Sequence, residues 1–320
     1  MKTCRLLLLL LISTPLFAAP PDVATFSIVA ADPAAGEVGV AVASRFFSVG
    51  SVVPFGRGGV GAVATQSYAN TSFGPRGLEL MARGATPEEA ARILLRGDSD
   101  PLRRQFALVS AAGQSFTYTG SGCHPWAGGR NGPNYAVQGN ILTGEPVVIA
   151  MEKAFLETKG TLADRMFAAL TAGDAAGGDS RGKQSAALIV MKPAAGYGGN
   201  DDRAIDIRVD DHAEPFKELG RLLNYAQMNY SWNAGWTLFM QKKYAEALPF
   251  QERAAQLAPE NPELLYDLAV IRAAAGEKGK ALAALEKALT LNPKLRAQAK
   301  EDKDLDLLRG ERKFVEIVGR

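Results

Sequence analysis

The stretch Thr25-Phe26-Ser27-Ile28-Val29-Ala30-Ala31-Asp32 reads as a β-strand that runs into the Asp32-Pro33 turn signal. Side chains alternate along a strand, so Thr25 and Ser27 share one face. If the chain is cut between Ala24 and Thr25, a single residue carries both a hydroxyl nucleophile and a free α-amine that can serve as its base. The preceding residues bear on that cut. Residues 1–18 combine a short cationic start (Lys2, Arg5), an apolar block from Leu6 to Ile12, and small residues at Ala18 and, just beyond, Ala19. This is the layout of a cleaved signal peptide, and the block is too short to span a bilayer. The sequence therefore predicts an exported chain, periplasmic or secreted. Cutting after Ala18 or Ala19 leaves six or five residues ahead of Thr25, so exposing its amine requires a second cleavage, by the protein itself or by another protease.

Loss of Lys2 and Arg5 with the signal takes the formal charge from +2 to 0, which gives no electrostatic basis for binding nucleic acid. Cys4 lies ahead of the apolar block and leaves with it, so Cys123 has no intramolecular disulfide partner. With only His124 and His212 and no paired cysteines, the usual zinc ligands are too few. No cofactor is assigned, and carboxylate-bound calcium or magnesium stays open. No later window holds eighteen consecutive apolar residues, so no membrane span is expected after signal removal.

Composition divides the rest into two parts, 24–228 and 229–320. In the second, Tyr244-Ala-Glu-Ala247-Leu248 aligns with Lys278-Gly-Lys-Ala281-Leu282 at an offset of 34 residues, which also pairs Ala254 with Ala288, Pro259 with Pro293 and Gly235 with Ala269. Small residues where two helices cross, and proline after the second helix, are what tetratricopeptide repeats require. Helices are predicted near 229–242, 244–257, 262–275 and 278–291, with a capping pair between Arg296 and Val318. The repeats read either as a docking surface for a peptide or protein partner or as a structural cap. Tyr230, Trp232 and Trp236 are expected to pack between the two parts.

In the first part, apolar patterning predicts strands at 25–31, 37–44, 59–66, 106–111, 114–119, 135–141, 185–191 and 204–209. Helices are predicted at 75–83, 87–96, 146–158 and 161–172. Strands, two helices, strands, two helices, strands fits two antiparallel sheets covered by helices on both outer faces.

Five blocks, Thr25 to Asp32, Gly59-Val-Gly-Ala-Val-Ala-Thr-Gln66, Gln138-Gly-Asn140, Gly177-Gly-Asp-Ser-Arg-Gly-Lys-Gln-Ser185 and Arg208-Val-Asp-Asp-His212, together resemble the DUF1028 family over about residues 24–222. That resemblance implies an α+β fold, the four-layer αββα sandwich of the N-terminal nucleophile hydrolase superfamily, ahead of the all-α repeats. It makes Thr25 the expected nucleophile, with Ser27 able to orient it. In proteasome-like relatives an acidic residue commonly precedes a Ser-Arg pair, whereas Ser44-Arg45 here follows Ala43. Oligomers are common in the superfamily, so a homo-oligomer is compatible with the sequence, which itself demands none.

Gln66, Gln138 and Asn140 are candidate amide donors to substrate or to an oxyanion. Asp179, Arg181, Gln184 and Ser185 lie in a glycine-rich loop that reads as a substrate-binding edge or as a turn held by an Asp179–Arg181 ion pair. In Arg208-Val-Asp210-Asp211-His212, one aspartate is expected to cap the following helix and pair with Arg208, and a cation site is the alternative. Cys123 and His124, neighbours in extended chain, point to opposite faces and do not make a catalytic pair. Two classes of function follow: an amidohydrolase acting on an amide or peptide-like bond through Thr25, or a non-catalytic binding or scaffold protein that keeps the fold.

Overall fold

The computed structural model describes residues 25–319; the expected signal segment and Ala24 lie outside the described residues. The strands β1 (Thr25–Asp32), β2 (Glu37–Ser44), β7 (Gly128–Gly132), β8 (Tyr135–Asn140), β9 (Ser185–Met191) and β10 (Arg203–Val209) form one sheet in the order β10-β9-β2-β1-β8-β7. All its pairings are antiparallel. A second antiparallel sheet, ordered β3-β4-β5-β6, contains β3 (Pro54–Arg57), β4 (Gly61–Gln66), β5 (Gln105–Ser110) and β6 (Ser115–Thr119).

The period-2 pattern of β1 sets which face meets what. Phe26, Ile28 and Ala30 pack with Met151 and Phe155 of α3 (Pro146–Glu157) and with Met166 and Leu170 of α4 (Leu162–Ala175). Val29 and Ala31 face the other way, into a core of alanines and valines shared with Ala62, Ala64, Ala107 and Val109 of the second sheet. The far face of that sheet offers Val63, Phe106 and Leu108 to α1 (Phe73–Ala82) and α2 (Pro87–Arg96). The chain is thus mixed α/β here, with helices outside two facing sheets. Thr86 starts α2 with a capping box, accepting from the Glu89 N–H while the Glu89 carboxylate accepts the Thr86 N–H.

Two strands escape the sequence patterning. β3 is four residues of Pro-Phe-Gly-Arg at a sheet edge, and β7 is Gly-Gly-Arg-Asn-Gly at the edge of the other. Edge strands need neither an apolar alternation nor a full set of N–H donors, so neither carries the usual signal.

The helix expected at 229–242 is the second half of one 26-residue helix, α5 (Pro215–Met240). Its first half packs Phe216, Leu219 and Leu223 onto the first sheet, and it runs on against α6 (Tyr244–Leu257). Then come α7 (Pro262–Ala274), α8 (Lys278–Leu291), α9 (Leu295–Glu301), a 3₁₀ segment over Lys303–Leu308, and α10 (Arg312–Gly319). The alanines that set the 34-residue register, Ala247, Ala254, Ala269, Ala281 and Ala288, are all fully buried where these helices cross. Trp232 and Trp236 do not pack between the two parts. Being four residues apart on one helical face, both turn into the repeats, and both indole N–H groups donate to Asp267 Oδ2 at 2.7 Å. No helix among the described residues is long and apolar enough to cross a membrane.

Candidate functional site

At the start of β1 the strand registers align one polar row across the first sheet: Ser185 opposite Ser44, Ser44 opposite Thr25, and Thr25 opposite Asn140. All four are buried. The Thr25 hydroxyl donates to Ser44 Oγ at 3.2 Å. Ser185 fixes the chain beyond Ser44, donating to the Phe46 carbonyl at 2.5 Å and accepting the Val49 N–H at 3.1 Å.

Two residues along, on the face toward the second sheet, the space between the sheets turns from apolar to amide-rich. Ser27 donates to Gln66 Oε1 at 2.6 Å and accepts from Gln138 Nε2 at 3.4 Å, so it touches Thr25 only through Gln66. Gln66 Nε2 donates to the Thr25 carbonyl at 3.0 Å and to Gln105 Oε1 at 2.8 Å. Gln138 Nε2 also donates to the Ala64 carbonyl at 3.2 Å, and Gln138 Oε1 accepts from Thr117. A primary amide has two N–H donors, so those of Gln66 and Gln138 are both taken. Asn140 differs. Its Nδ2 makes one bond, to Gln105 Oε1 at 2.9 Å, and its Oδ1 is buried with no hydrogen-bond partner. An unsatisfied buried acceptor costs roughly 1–3 kcal/mol, and native structures tolerate few.

Two cavities flank this end of the sheet. One of about 250 Å³ has an apolar wall of Phe46, Val49, Val52 and Val53, and its polar lining includes Gln66, Asn140 and His124. The backbone bends sharply into it, because Ser67 and Tyr68 both take left-handed conformations, with φ of 54° and 48°. Such conformations in non-glycine residues persist only where surrounding structure enforces them. Here the Arg104 guanidinium holds the Tyr68 carbonyl and is itself held by the Asp98 carboxylate, 3.0 Å away. The other cavity, about 160 Å³, lies between Ser44, Ser185 and the glycine-rich loop.

That loop is pinned through Asp179. Its carboxylate accepts the Arg45 N–H at 2.8 Å and the Arg181 N–H at 2.9 Å, and forms an ion pair with the Arg181 guanidinium at 3.0 Å. Gly177 is required for the turn, with φ of 117°, and a Cβ there would sit 2.3 Å from Thr143 Oγ1. Gln184 donates to Asp211 at 3.2 Å rather than into either cavity. Lys183 bonds Asp174 at 2.9 Å, and this contact holds its ammonium above the usual lysine range.

The Arg208 to His212 block is arranged otherwise than expected. Arg208 pairs with Asp206 at 2.9 Å, since residues two apart share a strand face. Asp210 accepts from Ser48 Oγ at 2.6 Å, and it is His212 Nδ1 that accepts the Glu214 N–H as α5 begins. Among the described residues no three His, Cys, Asp or Glu side chains gather as a metal site. Cys123 and His124 diverge within a loop: the thiol donates to the Arg104 carbonyl at 3.4 Å, while His124 Nε2 lies 3.2 Å from the Tyr68 hydroxyl. Burial pushes the Cys123 thiol up, which makes it a poor nucleophile.

Three residues hold places here that their spacing does not assign, although Ser44-Arg45 and Cys123-His124 stand out in the sequence. Gln105 is the hub of the amide network, Ser44 receives the Thr25 hydroxyl, and His124 lines the larger cavity. For Gln105, the visible sign is a glutamine that opens the apolar strand Gln-Phe-Ala-Leu-Val.

A mixed α/β unit of two facing sheets, followed by tetratricopeptide-type helices, defines the class. The chain belongs to the family of unknown function DUF1028, whose model matches residues 25–219. A tetratricopeptide repeat model matches residues 238–301. The chain is similar to the crystal structure of the DUF1028 protein SPO2555 from Silicibacter pomeroyi, with 30% identity and a TM-score of 0.58 over 64% of this chain and 89% of that one. No curated protein is a significant match.

Proposed function

We propose that the chain is an exported amidohydrolase with the αββα fold of N-terminal nucleophile hydrolases, in which cleavage of the Ala24–Thr25 bond makes Thr25 the nucleophile. The observation that carries this reading is the unpartnered Asn140 Oδ1 beside the first residue of β1. A freed, neutral α-amine at Thr25 offers N–H donors of the kind that buried acceptor lacks. In the proposed step the Thr25 Oγ attacks the amide carbon and its proton passes to the α-amine. The remaining Asn140 N–H stabilises the oxyanion. Collapse expels the amine, which takes that proton, and water then hydrolyses the threonyl ester to the acid. The valine-lined cavity suits an apolar substituent next to the scissile bond.

Ser27, Gln66 and Gln138 act as positioning residues in this scheme. Asp179, Arg181 and Ser185 hold the loop and strand ends that frame the smaller cavity. The repeats suggest protein–protein interaction, and we assign them to docking a peptide or protein partner. A screen of the Thr25-exposed protein against N-acyl and peptide amides, with Thr25→Ala as control, tests the chemistry; turnover that survives the substitution would remove Thr25 from it.

A second reading, a binding protein that has lost processing, is favoured by one observation: the Thr25 side chain is fully buried, with its hydroxyl spent on Ser44.

A further inference from the structure

A cavity of about 360 Å³ opens between the first sheet and the helices α5 and α6. It lies at the far end of β1 and β2 from Thr25. Glu37 pairs with Asp32 and Ser44 with Thr25, which separates the two ends by roughly 23 Å at the usual strand rise. The walls are apolar, from Val190 and Ile205 on the sheet side to Pro249 and Phe250 on the helix side. The Tyr230 and Phe250 rings stand edge to face, with centroids 6.3 Å apart.

Three charged side chains line this apolar space, Glu37, Lys192 and Arg253, and Lys192 forms no ion pair with Glu37. The Glu37 carboxylate makes no hydrogen bond or ion pair among the described residues, and burial holds its carboxyl above the ordinary range, partly offset by Lys192. A carboxylate in such a place is costly until a cation meets it. Arg253, exposed on α6, likewise has no carboxylate partner among the described residues, and its planar fork matches a carboxylate in two places. The volume is that of a small-molecule site, which runs upward from roughly 300 Å³.

We propose that this cavity binds a short apolar peptide as a zwitterion, its ammonium on Glu37, its carboxylate on Arg253 and its side chains against the Tyr230–Phe250 wall. The site is independent of any chemistry at Thr25. The probe is L-leucyl-L-leucine, titrated calorimetrically into the full chain beside N-acetyl-leucyl-leucine and leucyl-leucine amide. The dipeptide should bind, and capping either end should weaken it at least tenfold. Glu37→Gln should weaken the dipeptide to the same extent yet leave the N-acetyl compound unchanged, and Arg253→Ala should do the same for the amide. The capped compounds probe both ends on the unmodified chain, so the result does not hang on either variant's folding. No binding by the dipeptide, or equal binding by all three compounds, would overturn the assignment.

Discussion

Asn140 is the register partner of Thr25 across β8 and β1, and it alone among the site's three candidate amides keeps a buried oxygen without a hydrogen bond. Gln66 is saturated by Ser27, Gln105 and the Thr25 carbonyl, and Gln138 by Ser27, Thr117 and the Ala64 carbonyl. The same network therefore holds the two sheets together and leaves one open valence at Thr25.

Replacing that valence separates stability from chemistry. Asn140→Ala loses one hydrogen bond to Gln105, whose oxygen keeps Gln66, and removes the orphan acceptor, so the stability change should stay within about 1 kcal/mol. Thr25-dependent amide hydrolysis should fall roughly 10²–10³-fold, the usual cost of deleting an oxyanion donor. Denaturant titration and initial rates on the same preparation check both.

Gln105 is the opposite case. Its side chain accepts from Gln66 and Asn140 and donates to Thr119 and to the Gly139 carbonyl at 2.7 Å. Gln105→Leu strands these groups in a buried place and should cost about 3 kcal/mol or more, seen as a lower urea midpoint at unchanged m-value.

Asp179→Asn keeps the side chain's shape but removes the charge that holds Arg45 and Arg181. Charge-assisted bonds of this kind contribute about 1.5–3 kcal/mol. The local consequence is sharper than the global one: the amide protons of Arg45 and Arg181 should exchange with solvent faster than in the parent protein, while those of β1 are unchanged.

Asp267 makes a pH prediction. Burial raises its carboxyl above the ordinary range, with the two indole donors partly opposing. The native state therefore holds this proton more tightly than the unfolded chain. The resulting stability is fully present below about pH 4, the unfolded value, and is lost as pH rises through the raised native one. Asp267→Asn keeps an acceptor for Trp232 and Trp236 and has no proton to lose. Unfolding free energies measured from pH 3 to 7 should show the variant gaining on the parent across that window.

The repeats were legible in the sequence nearly to the residue, because a 34-residue period fixes helix ends and crossings at once and the alanines carry that period themselves. The two-sheet arrangement was legible from the order of short apolar runs and helix pairs along the chain, not from any one strand, since β1, β2 and β9 are buried on both faces and read as continuous apolar runs. What escaped depends on tertiary context. The edge strands Pro54–Arg57 and Gly128–Gly132 are defined by their partners, and Trp232 and Trp236 are placed by an aspartate more than thirty residues away. At the site, Gln66, Gln138 and Asn140 could be chosen by type. That Asn140 alone stays open follows from Gln105, whose side chain reaches across to the other sheet and leaves no trace in the spacing.

The central claim is that Thr25 acts with its own α-amine, and the most direct test is the N-terminus of the protein recovered from the exported fraction, read by intact mass and terminal sequencing. A chain that starts at Thr25 is the expected result. A stable, homogeneous start at Ala19 or Pro20 would contradict it.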